Sequence, residues 1–253
     1  MEIHATKTRL AAGDCVYGCF CRYPDAGLVE LVALQGFDFF VFDGEHGTLE
    51  PRDCEALVRA AELRGPAPLV RVPANQPSVI LRFLDTGAVG VHVPLVSSAD
   101  EAAAGVSAVK YPPRGSRGLA GVRAASYGAV PLAEYTVQAN EATMVVIQVE
   151  TRAAVERVGE IAAVEGVDVV FVGPTDLSQA FGVTGQTGHP VLERAYDEIA
   201  EAVAASPAAL GVLAADEAGA EGWYERGARY IAVTIDALVV SRTRAFLAGV
   251  PGR

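Results

Sequence analysis

The stretch that decides the fold runs from residue 143 to residue 176: TMVVIQVE (143–150), TRAAVERVGEIAAVEGVD (151–168) and VVFVGPTD (169–176). Two apolar, β-branched runs each end near a carboxylate and flank one helical stretch, the pattern of successive βα units in a parallel sheet. Strand C-termini share one rim in such a sheet. Glu150 and Asp176 are therefore expected to face a common pocket whose charge suits a hard divalent cation.

The same alternation extends in both directions. Strands are expected near 15–20, 38–43, 68–72, 89–93, 143–149, 167–172, 209–213 and 229–233, with helices near 25–35, 51–64, 77–86, 98–109, 152–162, 190–205, 216–226 and 236–248. Pro51 and Pro77 stand where helices should start, and Gly36, Gly65, Gly87 and Gly227 where they should end. Eight strands, each followed by a helix, predict an α/β fold of the closed (β/α)8 TIM-barrel type. Such a barrel commonly forms one domain of roughly 250 residues, so a single domain is expected over residues 1–253. Two segments stand out: a long irregular connection over 110–135, rich in arginine and tyrosine, and a Gly-rich stretch over 181–189 that reads as a candidate lid.

Composition narrows the partners. A formal charge of −11 argues against nucleic acid, whose phosphates would be repelled. Residues 1–14 carry charges and no apolar core, and no apolar run approaches the ~20 residues that span a bilayer; no membrane partner and a cytoplasmic location are expected. Cys15, Cys19, Cys21 and Cys54 lack zinc-site spacing and read as buried thiols, with Cys19 and Cys21 on one side of a strand.

Sorting polar residues by strand end tests the barrel for a site. The second strand ends in Asp43-Gly44-Glu45-His46, the third at Arg71, the fifth in Gln148-Val149-Glu150 and the sixth leads to Thr175-Asp176. A helix cap or a local ion pair would explain any one of these, but not four polar clusters on one rim. Two carboxylates leave positions open on a Mg²⁺, Mn²⁺ or Co²⁺ ion, as a chelating 2-oxo acid requires, and the ion would act as a Lewis acid toward an enolate. Arg71 supplies a fixed cation for a carboxylate or a developing oxyanion. His46 has Asp43 three residues before it, placed to orient the imidazole and raise its basicity. His92 lies inside the fourth strand and is discounted as a catalyst, whereas His189 lies in the candidate lid. The only lysines, Lys7 and Lys110, fall in the N-terminal tail and at a helix end, which disfavours Schiff-base chemistry.

At this point GFDFFVFDGEHG, LVRVP, LDTGAVGVHVPLV, YPPRGSRG, RAASYG, VIQVET, VEGVDVVFVGPTDLS and GARYIAVTIDA resemble, in order and spacing, the HpcH/HpaI family of class II pyruvate aldolases, from about residue 16 to residue 248. The resemblance implies a barrel assembled as a homo-oligomer, a trimer or a hexamer of two trimers. Its members reversibly cleave 4-hydroxy-2-oxo acids into pyruvate and an aldehyde with a divalent metal cofactor. It further implies that Glu150 and Asp176 are the metal ligands, that Arg71 stabilises the transition state, and that His46 is the general base, acting directly or through a metal-bound water, supported by Asp43. Gln148 and the backbone at Thr175 look like substrate contacts. Asp85, a helix-end residue far from Arg71 by sequence alone, matches an aspartate that raises the histidine's basicity; the resemblance alone gives it that role and leaves open whether it acts across a subunit interface. Many members carry tryptophan where Phe39 stands and Asn-Asp where Asn75-Gln76 stand, positions expected to border helix packing. An oxaloacetate decarboxylase, an acyl-CoA carbon–carbon lyase and a non-catalytic 2-oxo-acid binder are the alternatives on the same scaffold.

Overall fold

The computed structural model describes residues 3–251. Its strands are β1 (Val16–Cys21), β2 (Phe39–Asp43), β3 (Ala67–Arg71), β4 (Gly90–Val93), β5 (Met144–Val149), β6 (Val169–Val172), β7 (Ala209–Leu213) and β8 (Tyr230–Thr234). They pair in parallel in sequence order, and β8 pairs with β1, so the sheet closes on itself as a barrel of eight strands. All eight expected strands appear, each within two residues of its expected bounds.

Both faces of these strands are buried, which is why they read as continuous apolar runs. One face fills the barrel interior with Val16, Phe20, Phe39, Leu69, Phe171 and Tyr230. The other, including Cys19, Cys21, Phe40, Phe42, Ile147 and Val170, packs under the helices. The interior is filled by alternating large and small residues. Phe39 stacks on Tyr230 with ring centroids 4.0 Å apart, and a Cβ on the neighbouring Gly18 would lie 2.0 Å from the Phe39 ring. Gly211 makes the same room beside Val169 and Tyr230. Phe39 thus lies inside the barrel rather than at the expected border with the helices. Asn75 and Gln76 do border helices: Asn75 Nδ2 donates to the Glu101 carbonyl at 2.9 Å, and Gln76 caps a helix N-terminus.

The helices are α1 (Ala5–Ala11), α2 (Ala26–Ala33), α3 (Pro51–Arg64), α4 (Pro77–Leu84), α5 (Ala99–Val109), α6 (Leu132–Ala142), α7 (Arg152–Glu156), α8 (Val158–Ala162), α9 (Pro174–Ala180), α10 (Pro190–Ala204), α11 (Glu217–Glu225) and α12 (Ile235–Gly249). Gly36, Gly65, Gly87 and Gly227 follow α2, α3, α4 and α11 with positive φ, the left-handed stop that glycine adopts without strain.

Four local expectations differ. The N-terminal tail forms α1, hidden from periodicity because only Thr6 and Leu10 are buried; Leu10 packs into the barrel-interior cluster. The expected helix over 152–162 breaks at Arg157 (φ −118°, ψ 13°) into α7 and α8. The irregular connection contains a 3₁₀ turn at Arg123–Gly128, and α6 starts before its expected end, at Leu132. The 181–189 segment is not a free lid: Gly185 N–H donates to Ser178 Oγ and Val183 N–H to the Ser178 carbonyl, both at 2.8 Å, and His189 caps α10. No helix among the described residues is long and apolar enough to cross a membrane. Among the described residues of α12 only Ile235 is buried, while Val239 and Phe246 are 55% and 62% exposed.

Gly18→Ala tests the interior packing. The added methyl forces Phe39 against Tyr230, so stability should fall by about 1–3 kcal/mol, read as a lower urea midpoint at unchanged slope. Wild-type stability would show that the Phe39–Tyr230 stack yields freely.

Candidate active site

A cavity of about 360 Å³ opens at the C-terminal ends of the strands. Phe20 and Arg22 reach it from β1 and its loop, Asp43 and His46 from β2 and its loop, and Arg71 from β3. Gln148 and Glu150 come from the end of β5, and Gly173 to Asp176 from the end of β6 and the first turn of α9. Seven of the residues singled out in the sequence therefore share one pocket: Asp43, His46, Arg71, Gln148, Glu150, Thr175 and Asp176.

Asp43 and Arg71 are register partners on β2 and β3. Arg71 Nε and Nη2 donate to the two Asp43 oxygens at 2.9 and 2.6 Å, a bidentate fork in which both residues are buried. Asp43 Oδ1 also accepts the backbone N–H groups of Glu45 and His46, each at 3.1 Å. Burial opposes the Asp43 charge, yet Arg71 and these N–H groups hold its carboxyl below the usual range. Asp43 therefore holds the backbone of His46 and not, as expected, its imidazole.

The carboxylate beside the imidazole is Glu45, whose Oε2 lies 4.0 Å from His46 Nε2 and 3.2 Å from Arg71 Nη1. Glu45 Oε2 is buried without a hydrogen bond, the Arg71 approach being off the hydrogen-bonding angle. Burial, with the nearby charges of Asp43 and Asp176, raises the Glu45 pKa against the pull of Arg71. Sequence reading quoted Glu45 within its cluster but gave the role to Asp43. Arg22 was also missed, because strand-end sorting was not applied to β1; its Nε lies 3.3 Å from Asp236 Oδ2.

Glu150 is buried just beyond β5. Its Oε2 accepts the Leu95 N–H at 3.1 Å, from a residue held at φ 55°, and its Oε1 accepts a hydrogen bond from Gln148 Nε2. A side chain at position 173 would crowd Glu150, since a Cβ there would stand 2.7 Å from Oε1. Burial, reinforced by the charges of Asp176 and Glu45, pushes the Glu150 carboxyl up to about 7.

A divalent cation fits this donor set. Glu150 and Asp176 repel one another across the pocket, both offer hard oxygen donors, and Gly173 leaves the Glu150 oxygen uncovered. Among the described residues no group of three or more His, Cys, Asp or Glu side chains forms a ligand set, so a cation held here would keep positions for water or substrate.

Asp85 lies outside the pocket lining, at the C-cap of α4, where its Oδ1 accepts from Arg117 Nη2 at 2.9 Å. Neither His189 nor either lysine lines the pocket. Lys7 pairs with Asp168 at 3.1 Å, and buried Lys110 donates to the Asn140 and Thr143 carbonyls, each at 2.7 Å. His92 is buried inside the barrel. The thiols are all free; Cys19, Cys21 and Cys54 are buried, whereas Cys15 is half-buried. Burial raises the Cys21 and Cys54 thiols to about 11 and about 12.

The model of the HpcH/HpaI aldolase/citrate lyase family matches residues 16–243. The chain is 39% identical over 234 residues to a 5-keto-4-deoxy-D-glucarate aldolase of Enterobacter sp. (strain 638), covering 91% of this chain and 90% of that one. It is 35% identical over 239 residues to a hydroxypyruvate/pyruvate aldolase of Roseovarius nubinhibens, covering 94% and 92%. The crystal structure of an HpcH/HpaI aldolase/citrate lyase family protein from Burkholderia cenocepacia J2315 superimposes with a TM-score of 0.92 at 35% identity, covering 97% of this chain and 98% of that one.

Removing the arginine tests the charge arrangement. Arg71→Ala leaves the buried Asp43 and the partly buried Glu45 without their counter-ion, which should cost about 3–5 kcal/mol of stability near neutral pH. Without Arg71 both carboxyls have folded pKa values raised above their unfolded values. Their penalty is then largest at high pH and is relieved as pH falls through those values. Denaturation midpoints of variant and wild type should therefore converge between pH 8 and pH 5; a constant gap would contradict the pairing.

Proposed function

The chain belongs to the HpcH/HpaI aldolase/citrate lyase family, and on that premise we propose that its strand-end pocket cleaves a 4-hydroxy-2-oxo acid into pyruvate and an aldehyde. The chain is a carbon–carbon lyase of the aldolase type. The single observation that carries the chemistry is the convergence of Glu150, Asp176, Arg71 and His46 on one cavity of about 360 Å³.

In this reading Glu150 and Asp176 hold a divalent cation, Mg²⁺, Mn²⁺ or Co²⁺, which supplies Lewis acidity toward the substrate's 2-oxo group. The chain's own residues do the rest. Arg71, clamped by Asp43, cannot swing away from the pocket and so presents a fixed positive charge where an oxyanion develops. Gln148 and the backbone at Thr175 position the 2-oxo acid. His46 lines the cavity with a half-exposed ring beside Glu45, placed to remove the proton from the substrate's 4-hydroxyl. Phe20, Phe171 and Leu213 cover the inner wall and limit water at the reacting carbons.

Asp85, at the end of α4 and outside this pocket, serves His46 only from a second copy of the chain. The apolar residues that α12 leaves exposed support a homo-oligomer, a trimer or a hexamer of two trimers. Light scattering on the purified protein reads that assembly directly, and a monomer would remove Asp85 from the site.

Pyruvate release from a panel of 4-hydroxy-2-oxo acids tests the reaction. Activity should vanish on full chelation with EDTA and return with Mg²⁺ or Mn²⁺, and Arg71→Ala should lower kcat by about 10²–10³-fold. Cleavage that survives full chelation would sink the metal role. Failure of pyruvate to exchange its methyl protons in D₂O with metal present would favour a non-catalytic binder.

Proton competition gives a second measure. Glu150 binds a cation only when ionised, and its folded pKa is raised to about 7. Apparent affinity should thus rise about tenfold from pH 6 to pH 8 and then level off, followed as free Mn²⁺ by electron paramagnetic resonance. Affinity independent of pH below 7 would remove Glu150 from the ligand set.

A further inference from the structure

Beneath the pocket floor a chain of four side chains crosses the barrel interior. The Tyr230 hydroxyl lies 2.9 Å from His92 Nε2, His92 Nδ1 lies 3.3 Å from Gln148 Oε1, and Gln148 Nε2 donates to Glu150 Oε1. Tyr230, His92 and Gln148 are fully buried. Aromatic rings surround the imidazole: Phe20 and Phe171 meet it edge-on at 5.4 and 5.0 Å, and Phe39 stacks on Tyr230. Tyr230 and His92 are closed off from solvent, so their polar atoms depend on one another and on Gln148.

The direction of each hydrogen bond follows from one end. Glu150 Oε2 accepts the Leu95 N–H and its Oε1 accepts from Gln148 Nε2. The Gln148 amide thus turns its nitrogen toward Glu150 and its Oε1 toward His92 Nδ1. Nδ1 of His92 must carry the ring proton to satisfy Oε1. Burial, reinforced by the Arg71 charge, lowers the His92 pKa to about 3, so the ring is neutral and Nε2 is an acceptor. Tyr230, whose phenol burial keeps protonated, supplies the donor.

We infer that Tyr230 and His92 are positioning residues that lock the Gln148 amide in one orientation, with its nitrogen toward Glu150 and its second N–H available to a ligand in the cavity. Without the lock the amide can flip, setting its carbonyl oxygen against the Glu150 carboxylate and withdrawing a donor from the pocket. The consequence for substrate rests on the proposed reading of this pocket as a 2-oxo-acid site; the hydrogen-bond order does not.

Two measurements test the inference separately. In protein labelled with ¹⁵N-histidine, long-range ¹H–¹⁵N correlations, assigned by their loss in His92→Leu, should show His92 as a single neutral Nδ1–H tautomer. An Nε2–H tautomer, or averaging between the two, would overturn the lock whatever the pocket binds. Calorimetry with Mn²⁺ and pyruvate reads its effect. Tyr230→Phe removes one oxygen and keeps the ring on Phe39; it should weaken pyruvate binding about three- to tenfold. His92→Leu, which cuts the path in the middle, should repeat that loss. Placed on Gln148→Ala, Tyr230→Phe should change affinity no further, because the amide it orients is gone. An equal loss in both backgrounds would mark Tyr230 as merely structural and overturn the inference. Wild-type protein that binds no pyruvate with Mn²⁺ would count against the reading of the pocket, and the tautomer alone would then decide the lock.

Discussion

The buried fork between Asp43 and Arg71 is the constraint on which the site depends. Burying a charge pair costs several kcal/mol per ion unless geometry and further hydrogen bonds compensate. Here the compensation is built into the sheet. Asp43 and Arg71 sit at matched register on adjacent strands, so the bidentate contact needs only side-chain reach. The turn after β2 then folds back to give Asp43 two backbone N–H groups, and Gly44 N–H donates to the Arg71 carbonyl at 2.9 Å. A Cβ at Gly44 would approach that carbonyl to 2.9 Å and the Phe83 ring to 2.8 Å. One ion pair thereby fixes the Asp43-Gly44-Glu45-His46 turn and places both Glu45 and His46.

The floor below that ion pair is equally determined. The Arg71 guanidinium carbon lies 5.1 Å from the centre of the Phe20 ring, and Phe20 in turn packs on His92 and Phe171. A cation resting on an aromatic face in a dry interior is held from below as well as from the side. Gly211 leaves space beside Phe171 and Tyr230, and Gly18 leaves space for Phe39, which stacks on Tyr230. Packing in the barrel interior and the geometry of the pocket floor are therefore one problem.

Much of the fold was legible because parallel barrel strands are buried on both faces and need no partner to be recognised. The β-branched run of 144–149 reads as a strand whatever lies beside it. Elements whose burial is small were hidden: α1 buries two residues, and α9 is seven residues long with little apolar periodicity. Site residues at strand ends were legible for the same reason as the strands. Their partners were not. Asp43 stands three positions from His46 in the chain but directly opposite Arg71 in the sheet, and spatial register decides which group its carboxylate meets. Phe39 was misplaced because sequence does not reveal which face of a doubly buried strand points inward.

The acids explain why a cation is proposed for this pocket. Asp43 is satisfied by Arg71, and Glu45 shares the same guanidinium at 3.2 Å. Among the described residues neither Glu150 nor Asp176 forms an ion pair with a cationic side chain, and burial together with its acidic neighbours raises Glu150 to about 7. A neutral Glu150 would need to donate a proton, yet the groups around it, the Leu95 N–H and the Gln148 amide nitrogen, are themselves donors. The protein thus solvates the ionised form of Glu150 while surrounding it with negative charge. That conflict persists in the isolated chain, and under the proposed reading a cation held by Glu150 and Asp176 relieves it. It also makes the orientation of Gln148 consequential, since the amide nitrogen and the Leu95 N–H are the donors that the described residues offer Glu150.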